Sequence, residues 1–315
     1  MRAMSARARW AVTVVITLAP WTWFAVRILS YGFDVVATGL PVLYALAAAG
    51  IAGYATVRRR RRLAGAALSW LLAGAVAVAG PWRPESIPPP VRGFRIVAAN
   101  VNSKNPHVER AVADALAQQG DLVLLLEEGR KGGWTPPAEY PTLLRPRYGN
   151  QVILSRFPAR LLEKPDNWPN DFRAHRLEVD APTGRVIVYM VHLKRPHIGP
   201  RRILGIRRQL RAQRRERESL LASARNETVP VVIAGDFNTS DRSRGYRRLT
   251  GRFRDAMRAG RAGPTHVAPM WRPFLLRIDH VFVPRDWCSS QPERFAMRGS
   301  DHRGLAVDVG PCPVL

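Results

Sequence analysis

Three long apolar segments near the start of the sequence restrict what this part of the chain can form. They cover approximately residues 10–29, 35–57 and 63–81. Each is close to the ~20 residues that an α-helix needs to cross a bilayer, so we expect three transmembrane helices. Arg2, Arg7 and Arg9 precede the first segment, which would also suit a signal peptide, but cleavage there would leave the other two segments unexplained.

Charged residues beside these segments predict how the chain crosses the membrane. Five consecutive arginines, residues 58–62, separate the second and third segments, whereas the link over 30–34 contains no lysine or arginine. Because positively charged loops stay on the cytoplasmic side, we expect the N-terminus and the arginine run inside the cell. The chain after the third segment is then predicted to be extracytoplasmic.

Four prolines, Pro84, Pro88, Pro89 and Pro90, follow the third segment. Proline cannot continue a helix and it stiffens a linker. The predicted organisation is therefore a membrane anchor over 1–83, a tether over 84–92 and one large domain over 93–315. The last of these is long enough to bury a single core.

The stretch Ala234-Gly235-Asp236-Phe237-Asn238 follows an apolar run that is typical of a buried strand. Glycine lets the backbone turn tightly, Asp236 can take a proton or hold a cation, and Asn238 can hydrogen-bond an oxyanion without adding charge. Taken alone, the stretch could equally be an ordinary turn after a strand, in which the Asp and Asn side chains hydrogen-bond to their own backbone.

Other polar residues come after apolar, strand-like runs in the same way. They are Asn100 and Asn102, Glu127 and Glu128, His192, and the later pairs Asp279-His280 and Asp301-His302. Together these side chains supply oxygen ligands for a hard cation, imidazole and carboxylate groups, and hydrogen-bond donors. Metal-assisted hydrolysis of a phosphate ester requires these groups.

This ordered set, spread over residues 94–309, resembles the endonuclease/exonuclease/phosphatase superfamily, which includes pancreatic DNase, base-excision endonucleases, sphingomyelinases and inositol phosphatases. The resemblance implies a four-layered α/β sandwich, in which two packed mixed sheets are flanked by helices and the polar strand ends gather at one edge. It also implies a Mg²⁺-dependent hydrolase, with Mn²⁺ as an alternative cofactor.

The resemblance implies that Asn100, Glu127 and Asp301 position the metal ion. Asn102 stands where some members of the superfamily carry an aspartate that can bind a second metal. We therefore expect a site for one metal, and the number of ions stays open.

The resemblance gives catalytic roles to a second group of residues. Asp236 would orient or deprotonate the attacking water, and Asn238 would steady the pentavalent phosphorane. His302 would act beside the scissile phosphate and would be oriented by Asp279. His192 would be a general acid or a clamp on the phosphate.

The sequence leaves the partner of His192 open, because Glu128 and Glu178 are both candidates and spacing favours neither. Substrate-binding residues are not indicated. The remaining histidines receive no catalytic role: His107, His175, His197, His266 and His280.

The chain is strongly basic, with a formal net charge of +25. Residues up to Pro84 hold 10 of the 49 basic and 1 of the 24 acidic side chains, which leaves +16 for the rest. Such a charge would attract anionic lipids or nucleic acid.

The pattern of residues 201–225 predicts a helix. Its buried face would contain Ile203, Ile206, Leu210 and Leu221, and arginines would fill the other faces. A helix that covers the domain and faces solvent is a simpler interpretation than a helix dedicated to binding nucleic acid.

Two cysteines, Cys288 and Cys312, lie in the part expected outside the cytoplasm. A disulfide between them is permitted there, but two cysteines do not decide the matter. The sequence shows no zinc-like Cys/His spacing and no nucleotide-binding glycine loop.

A hydrolase domain behind three membrane spans also resembles the VanJ-type proteins, which are associated with resistance to glycopeptide antibiotics and with dephosphorylation of a polyprenyl pyrophosphate carrier. We therefore expect a membrane-anchored phosphohydrolase whose partners are membrane lipids and a lipid-linked phosphate. Two alternatives stay open, an extracytoplasmic nuclease or phosphodiesterase and a binding module without enzymatic activity. Oligomeric state is not indicated.

Overall fold

A computed structural model of the chain describes residues 5–27, 29, 33–129, 134–146, 150–196, 205–266 and 276–314, except for the side chains of residues 33, 35 and 38. The chain forms two compact units. One comprises Met1–Trp82 with Arg242–Arg244, and the other comprises Arg83–Asp241 with Gly245–Leu315.

The first unit is helical. Its helices are α1 (Ala6–Leu18), α2 (Thr22–Val26), α3 (Phe33–Val57) and α4 (Arg61–Ala79). A 3₁₀ turn over Ala19–Trp21 separates α1 from α2, because Pro20 has no N–H with which to continue the helical ladder. Three stretches, Ala6–Val26, Gly39–Val57 and Arg61–Trp82, are long and apolar enough to cross a membrane, which confirms the number of apolar helices predicted.

Hydrogen bonds between helices hold this unit together. The hydroxyl of Tyr44 donates to the carbonyl of Pro20 at 2.6 Å, and the indole of Trp70 donates to the carbonyl of Ile16 at 3.0 Å. The Pro20 carbonyl thus gains a partner where the α-helical ladder is interrupted. Such bonds join helices whose apolar surfaces would otherwise lie equally well against lipid.

The second unit contains two six-stranded mixed sheets. Sheet 1 has the spatial order β11-β12-β1-β2-β4-β3, and sheet 2 has the order β5-β6-β7-β8-β10-β9. The strands are β1 (Phe94–Asn100), β2 (Leu122–Leu126), β3 (Thr142–Leu144), β4 (Val152–Ser155), β5 (Ala159–Leu162), β6 (Arg173–Ala181), β7 (Gly184–His192), β8 (Val231–Asp236), β9 (Phe253–Asp255), β10 (Asp279–Pro284), β11 (Trp287–Ala296) and β12 (Arg303–Pro311).

Each sheet has one parallel pair at its centre. In sheet 1 the pair is β1 and β2, joined through α5 (Val108–Leu116), and in sheet 2 it is β7 and β8, joined through α6 (Ile206–Arg225). The last helix, α7 (Arg244–Thr250), follows β8. Because a parallel connection returns the chain to the same end of the sheet, the carboxyl ends of the two strands in each pair lie at the same edge of their sheet.

Apolar side chains pack between each sheet and its helix. Ala111, Val112 and Ala115 of α5 pack with Val97 and Leu125 of sheet 1. Leu220 and Leu221 of α6 pack with Tyr189 and Ile233 of sheet 2. Two packed mixed sheets with flanking helices form the α/β sandwich that the sequence predicts.

The buried face of α6 differs from its prediction. Leu221 is buried, but Leu210 is only half-buried, and the buried set includes Gln213, Glu216 and Arg217. The expectation that arginines occupy only the exposed faces is therefore wrong at Arg217. Residue Ile203 and the predicted first turn over 201–204 lie outside the described residues.

Cys288 and Cys312 form a disulfide. Cys288 lies in β11 and Cys312 directly follows β12, and the two strands pair along their length. The bond thus joins the last strand to its neighbour in sheet 1.

Candidate active site

The strand register brings the polar strand ends together. His192, at the end of β7, is the direct partner of Asp236 at the end of β8. Asp279 begins β10 and pairs with Asp236 from the other side. Asn100 ends β1 beside the end of β2, and Glu127 follows directly. Residues far apart in sequence therefore meet at one edge of the sandwich.

The carboxylate of Asp236 is the centre of this group. Its Oδ2 atom accepts a hydrogen bond from Nδ2 of Asn100 at 3.1 Å and a longer one from Nδ2 of Asn238 at 3.3 Å. The Nε2 atoms of His192 and His302 lie 3.7 and 3.9 Å from the same oxygen. Asp236 is 2 % exposed, so its charge acts with little screening by solvent.

Gly235 allows this arrangement because β7 approaches it closely. The glycine has φ +136°, and a Cβ built on it would lie 2.2 Å from the carbonyl oxygen of Val191. No other residue type fits at this position without moving the backbone of β7. The prediction that this glycine permits a tight turn is wrong, since Gly235 lies inside β8, and its φ and the close approach of Val191 are what require glycine there.

Three residues at this edge have a left-handed backbone. They are Asn102 (φ 62°), Glu127 (φ 55°) and Asn238 (φ 45°). Asparagine tolerates this region, but it is unfavourable for glutamate. Conformations of this kind persist where the surrounding structure holds them, and they concentrate at functional sites.

His302 and Asp279 form a buried pair. Nδ1 of His302 lies 2.9 Å from Oδ2 of Asp279, and the hydroxyl of Thr265 accepts hydrogen bonds from the amides of Ile278 and Asp279. Burial alone would lower the pKa of His302, but the charge of Asp279 and its hydrogen bond, with the charges of Asp236 and Asp301, raise the pKa to about 10. His302 is therefore an imidazolium at neutral pH, with Nε2 facing Asp236.

The two buried carboxylates differ in acidity. Burial, followed by the charge of Asp279, raises the pKa of Asp236 above its ordinary value. Burial opposes ionisation of Asp279 as well, but the charge and hydrogen bond of His302 outweigh it and lower the pKa of Asp279. Environments that separate the pKa values of neighbouring acids suit them to different roles, with Asp236 the more basic carboxylate.

Glu127 lies beside Asn100 and His192. Its Oε2 accepts hydrogen bonds from the amide and hydroxyl of Ser103, and its Oε1 lies 3.4 Å from Nδ2 of Asn100 and 3.5 Å from Nε2 of His192. Burial alone would raise the pKa of Glu127, but the charge of His192 and the bonds from Ser103 and Asn100 lower it. Glu127 is therefore a carboxylate at neutral pH.

The residues predicted to hold metal are divided between two neighbouring places. Asn100 and Glu127 contact each other, whereas Asp301 accepts a hydrogen bond from Nδ2 of Asn102 at 2.9 Å. Single ligand atoms of Asp236, Asp279 and His302 lie within 4.8 Å of one another, as do those of His266, Asp301 and His302. Hard divalent cations prefer oxygen ligands, and the carboxylates and side-chain amides of these residues supply them.

Neither glutamate proposed to orient His192 does so. Glu128 accepts hydrogen bonds from Trp134 and Arg145, and Glu178 forms ion pairs with Arg160 and Arg185. Among the described residues, the buried Nδ1 atom of His192 has no hydrogen-bond partner. His192 is positioned by its place at the end of β7 and by the carboxylates that face Nε2.

His266 lies beside the site, although no sequence pattern indicates a role for it. Its Nδ1 lies 3.0 Å from the carbonyl oxygen of Asp301, and its ring centroid lies 4.8 Å from that of His302. An isolated β-bridge between His266 and His302 brings them together. Burial and the charge of His302 lower the pKa of His266, which keeps this ring neutral.

The other histidines are outside this group. His280 is fully buried and its Nε2 lies 3.1 Å from the carbonyl oxygen of Thr239. Burial, with the charge of Arg277, lowers its pKa to about 4, so it is a neutral core residue. His107 precedes α5, His175 lies within β6, and His197 is outside the described residues.

A cleft of about 220 Å³ opens next to Glu127. Its lining includes Ser103, Asn150 and Arg173. Arg173 begins β6 and pairs in register with His192, so an exposed guanidinium lies one strand away from the imidazole. A cation on this wall can attract a phosphate group.

Comparisons with known proteins agree with this geometry. The family model described as the Endonuclease/Exonuclease/phosphatase family matches residues 97–302, which include all the motif residues discussed above. No curated protein sequence matches the chain significantly.

Solved structures share the fold. An endonuclease/exonuclease/phosphatase from Beutenbergia cavernae DSM 12333 superimposes with a TM-score of 0.51 at 21 % identity, over 71 % of this chain and 73 % of the other. A 3′ phosphatase from Neisseria, bound to a product DNA hairpin, gives 0.51 at 18 % identity over 68 % and 98 %. The catalytic domain of human Nocturnin with bound sulfate gives 0.50 at 14 % identity over 70 % and 96 %.

At these identities the solved structures establish the fold alone, whereas the family model spans well over half of the chain and includes its polar strand ends. The protein belongs to the endonuclease/exonuclease/phosphatase family and is a hydrolase of phosphate esters.

Proposed function

We propose that this protein is a membrane-anchored, Mg²⁺-dependent phosphohydrolase that cleaves the phosphate ester or anhydride of a lipid-linked substrate, such as polyprenyl pyrophosphate, at the outer leaflet. The observation that carries the proposal is the presence, in one chain, of a phosphoesterase strand-end cluster around Asp236 and three helices apolar enough to span a membrane. The arginine run over 58–62 and the positive-inside rule support the outer leaflet.

In this proposal Asp236 takes a proton from the attacking water. Burial raises its pKa above its ordinary value, and a general base works best when its pKa approaches the working pH. His302, held charged by Asp279 at 2.9 Å, stabilises negative charge that develops on the phosphate oxygens. The water oxygen bonds to phosphorus, and the bond from phosphorus to the leaving oxygen breaks.

Asn238 donates to the phosphate in the same step. Its Nδ2 makes a 2.9 Å hydrogen bond to the carbonyl of Leu193 and the longer contact of 3.3 Å to Asp236. The longer contact is the one that a phosphate oxygen replaces. His192, whose Nε2 faces Glu127 and Asp236, clamps the phosphate or protonates the leaving oxygen, and Arg173 attracts the substrate into the cleft.

The metal would be held by oxygen atoms of Glu127 and Asn100, and Asp301, which lies beside Asn102 in the neighbouring place, would complete its ligands. A divalent cation bound there supplies Lewis-acid stabilisation of the phosphoryl oxygens. Glu127 meets the requirement for an ionised ligand because its pKa is lowered.

The resemblance to VanJ-type proteins supports an extension of the proposal to glycopeptide resistance, since those proteins are associated with such resistance and with dephosphorylation of a polyprenyl pyrophosphate carrier. An extracytoplasmic nuclease is the second candidate. The net charge of +16 after Pro84 is compatible with it, because this charge would attract nucleic acid as well as lipid.

The test is turnover by the purified full-length protein in detergent or nanodiscs. Polyprenyl pyrophosphate and duplex DNA are each supplied with Mg²⁺ and with chelator, and Asp236→Asn is the inactive control. We expect metal-dependent phosphate release from the lipid without DNA cleavage. DNA cleavage alone would establish the nuclease, and no turnover of any phosphate ester would favour a binding module.

A further inference from the structure

Two side chains of α6 hold the segments that follow β7 and β8. Nε2 of Gln213 donates to the carbonyl oxygens of Lys194 and Asn238, each at 2.9 Å. Oε2 of Glu216 accepts from the amide of Lys194 at 2.8 Å. The single helix α6 therefore binds the backbone that follows β7 and the backbone that follows β8.

These segments carry functional side chains. Lys194 follows His192 by two residues, and Asn238 itself accepts the bond from Gln213 through its carbonyl. The two segments are also joined to each other, because the amide of Leu193 donates to the carbonyl of Asp236 and Nδ2 of Asn238 donates to the carbonyl of Leu193. A displacement of either segment would move His192 or Asn238.

Helix packing does not explain these two residues. Gln213 and Glu216 are 4 % and 1 % exposed, and a buried polar group destabilises a protein unless it is hydrogen-bonded. Oε1 of Glu216 has no hydrogen-bond partner among the described residues, and Nζ of Lys194 lies 3.8 Å from it. Apolar residues would pack α6 onto sheet 2 equally well, so the polar pair has another use.

The backbone conformation of Asn238 indicates what these two side chains do. Its φ of 45° is in the left-handed region, which asparagine tolerates better than most residues but which is still less favourable than a right-handed conformation. The amide of Asn238 is held by Oδ1 of Asp236 at 2.8 Å, and its carbonyl is held by Gln213. The peptide units on both sides of the side chain are thus fixed from different elements.

We propose that Gln213 and Glu216 are positioning residues, which fix His192 and Asn238 in their catalytic geometry by binding the backbone after β7 and β8. The proposal rests on the hydrolytic function proposed above for the same site. Neither side chain touches the substrate. Because small displacements of catalytic groups reduce turnover by up to ~10²-fold, loss of either contact should lower kcat while KM changes little.

The test compares full-length variants of α6. Gln213→Leu and Glu216→Leu remove the contacts, whereas Glu216→Gln keeps an acceptor for the Lys194 amide and should restore turnover. Ser223→Ala is the matched control, because Ser223 is a buried residue of the same helix that bonds Trp168 and Asn167 instead of the strand ends. Thermal stability, kcat and KM are measured for each.

We expect kcat to fall ~10-fold or more in both leucine variants, and to remain near wild type in Glu216→Gln and Ser223→Ala. Equal losses of stability in Gln213→Leu and Ser223→Ala with kcat unchanged in both would overturn the proposal. If Gln213→Leu fails to fold, Gln213→Met, which keeps the length of the side chain and loses the donor, takes its place.

Amide hydrogen exchange provides a readout that does not need turnover. In Gln213→Leu and Glu216→Leu the amides of Leu193, Lys194 and Asn238 should exchange faster, while the amides within β7 stay protected. Unchanged exchange at these amides contradicts the positioning role even if activity falls. Absence of turnover in the wild-type protein would contradict the proposed function, and the exchange comparison would still decide the positioning role.

Discussion

His192 and Asp236 are direct partners in the parallel pairing of β7 and β8, and Nε2 of His192 lies 3.7 Å from Oδ2 of Asp236. This relationship follows from the crossover through α6, which returns the chain to the same end of the sheet. Nε2 of His302, which directly precedes β12 of sheet 1, lies 3.9 Å from the same oxygen. Two imidazoles from distant parts of the sequence therefore face Asp236.

Asp279→Asn should lower kcat by ~10²-fold or more. The asparagine keeps the size of the side chain but removes the charge that keeps His302 protonated, and it permits the wrong orientation of the ring. Steady-state kinetics on the released phosphate measures the effect. Asp308→Asn in β12, which removes the ion pair with Arg95, is the control and should keep kcat. Equal kcat in both variants would exclude the role given to Asp279.

Glu127→Ala should weaken the dependence of activity on Mg²⁺ or abolish turnover, because it removes the ionised oxygen ligand beside Asn100. The control is the next residue. Glu128→Gln changes a carboxylate that faces Trp134 and Arg145, so it should leave the Mg²⁺ titration unchanged. Activity is titrated against Mg²⁺ with folding checked by circular dichroism. Full activity of Glu127→Ala at limiting Mg²⁺ contradicts the metal assignment.

The sequence predicted the parts of the site that strand topology controls. Asn100, Glu127, His192 and Asp236 each follow an apolar run, and parallel strands with helical crossovers bring such ends to one edge. The same reasoning could not find His266. That residue lies outside the named strands, and a bridge to His302 brings it to the site.

The buried face of α6 differs from its prediction for a related reason. Helical periodicity predicts a buried face from apolar residues alone, whereas Gln213 and Glu216 are buried and bind the backbone of other segments. Hydrogen bonds of this kind depend on which loops the helix covers, and the hydrophobic period contains no information about those loops. The sequence does not decide whether the disulfide forms, because Cys288 and Cys312 meet only through the pairing of β11 with β12.

A topology reporter fused after Leu315 should be active only outside the cytoplasm. The reason is the arginine run over 58–62, which the positive-inside rule keeps in the cytoplasm and which leaves the third span ending on the outer face. A paired fusion within the arginine run serves as the control and should report the cytoplasmic side. A cytoplasmic signal from the Leu315 fusion would reverse the orientation and remove the basis for an outer-leaflet substrate.

Glu216 should make stability depend on pH. Burial raises its pKa from the ordinary 4.5 to about 7, so the folded state holds a proton that the unfolded state releases between these values. The free energy of unfolding should therefore fall as pH rises from ~4.5 to ~7, by at most on the order of 3 kcal/mol. Denaturation of wild type and Glu216→Gln across this range measures the difference, which should disappear in the variant. Parallel pH curves would contradict the raised pKa.

Asp236 and His302 should behave as one unit in a double-mutant cycle. Their charged atoms lie 3.9 Å apart, and in the proposed mechanism the base and the imidazolium act on the same phosphorane. Asp236→Ala and His302→Ala should each lower kcat by ~10²-fold or more. Once either group is removed, the other contributes little to kcat, so the double variant should turn over substrate scarcely more slowly than the slower single variant. Turnover is measured for all four proteins together with thermal stability. Near-normal kcat in either single variant would exclude the hydrolytic mechanism, whereas losses that multiply in the double variant would mean that the two residues act in separate steps.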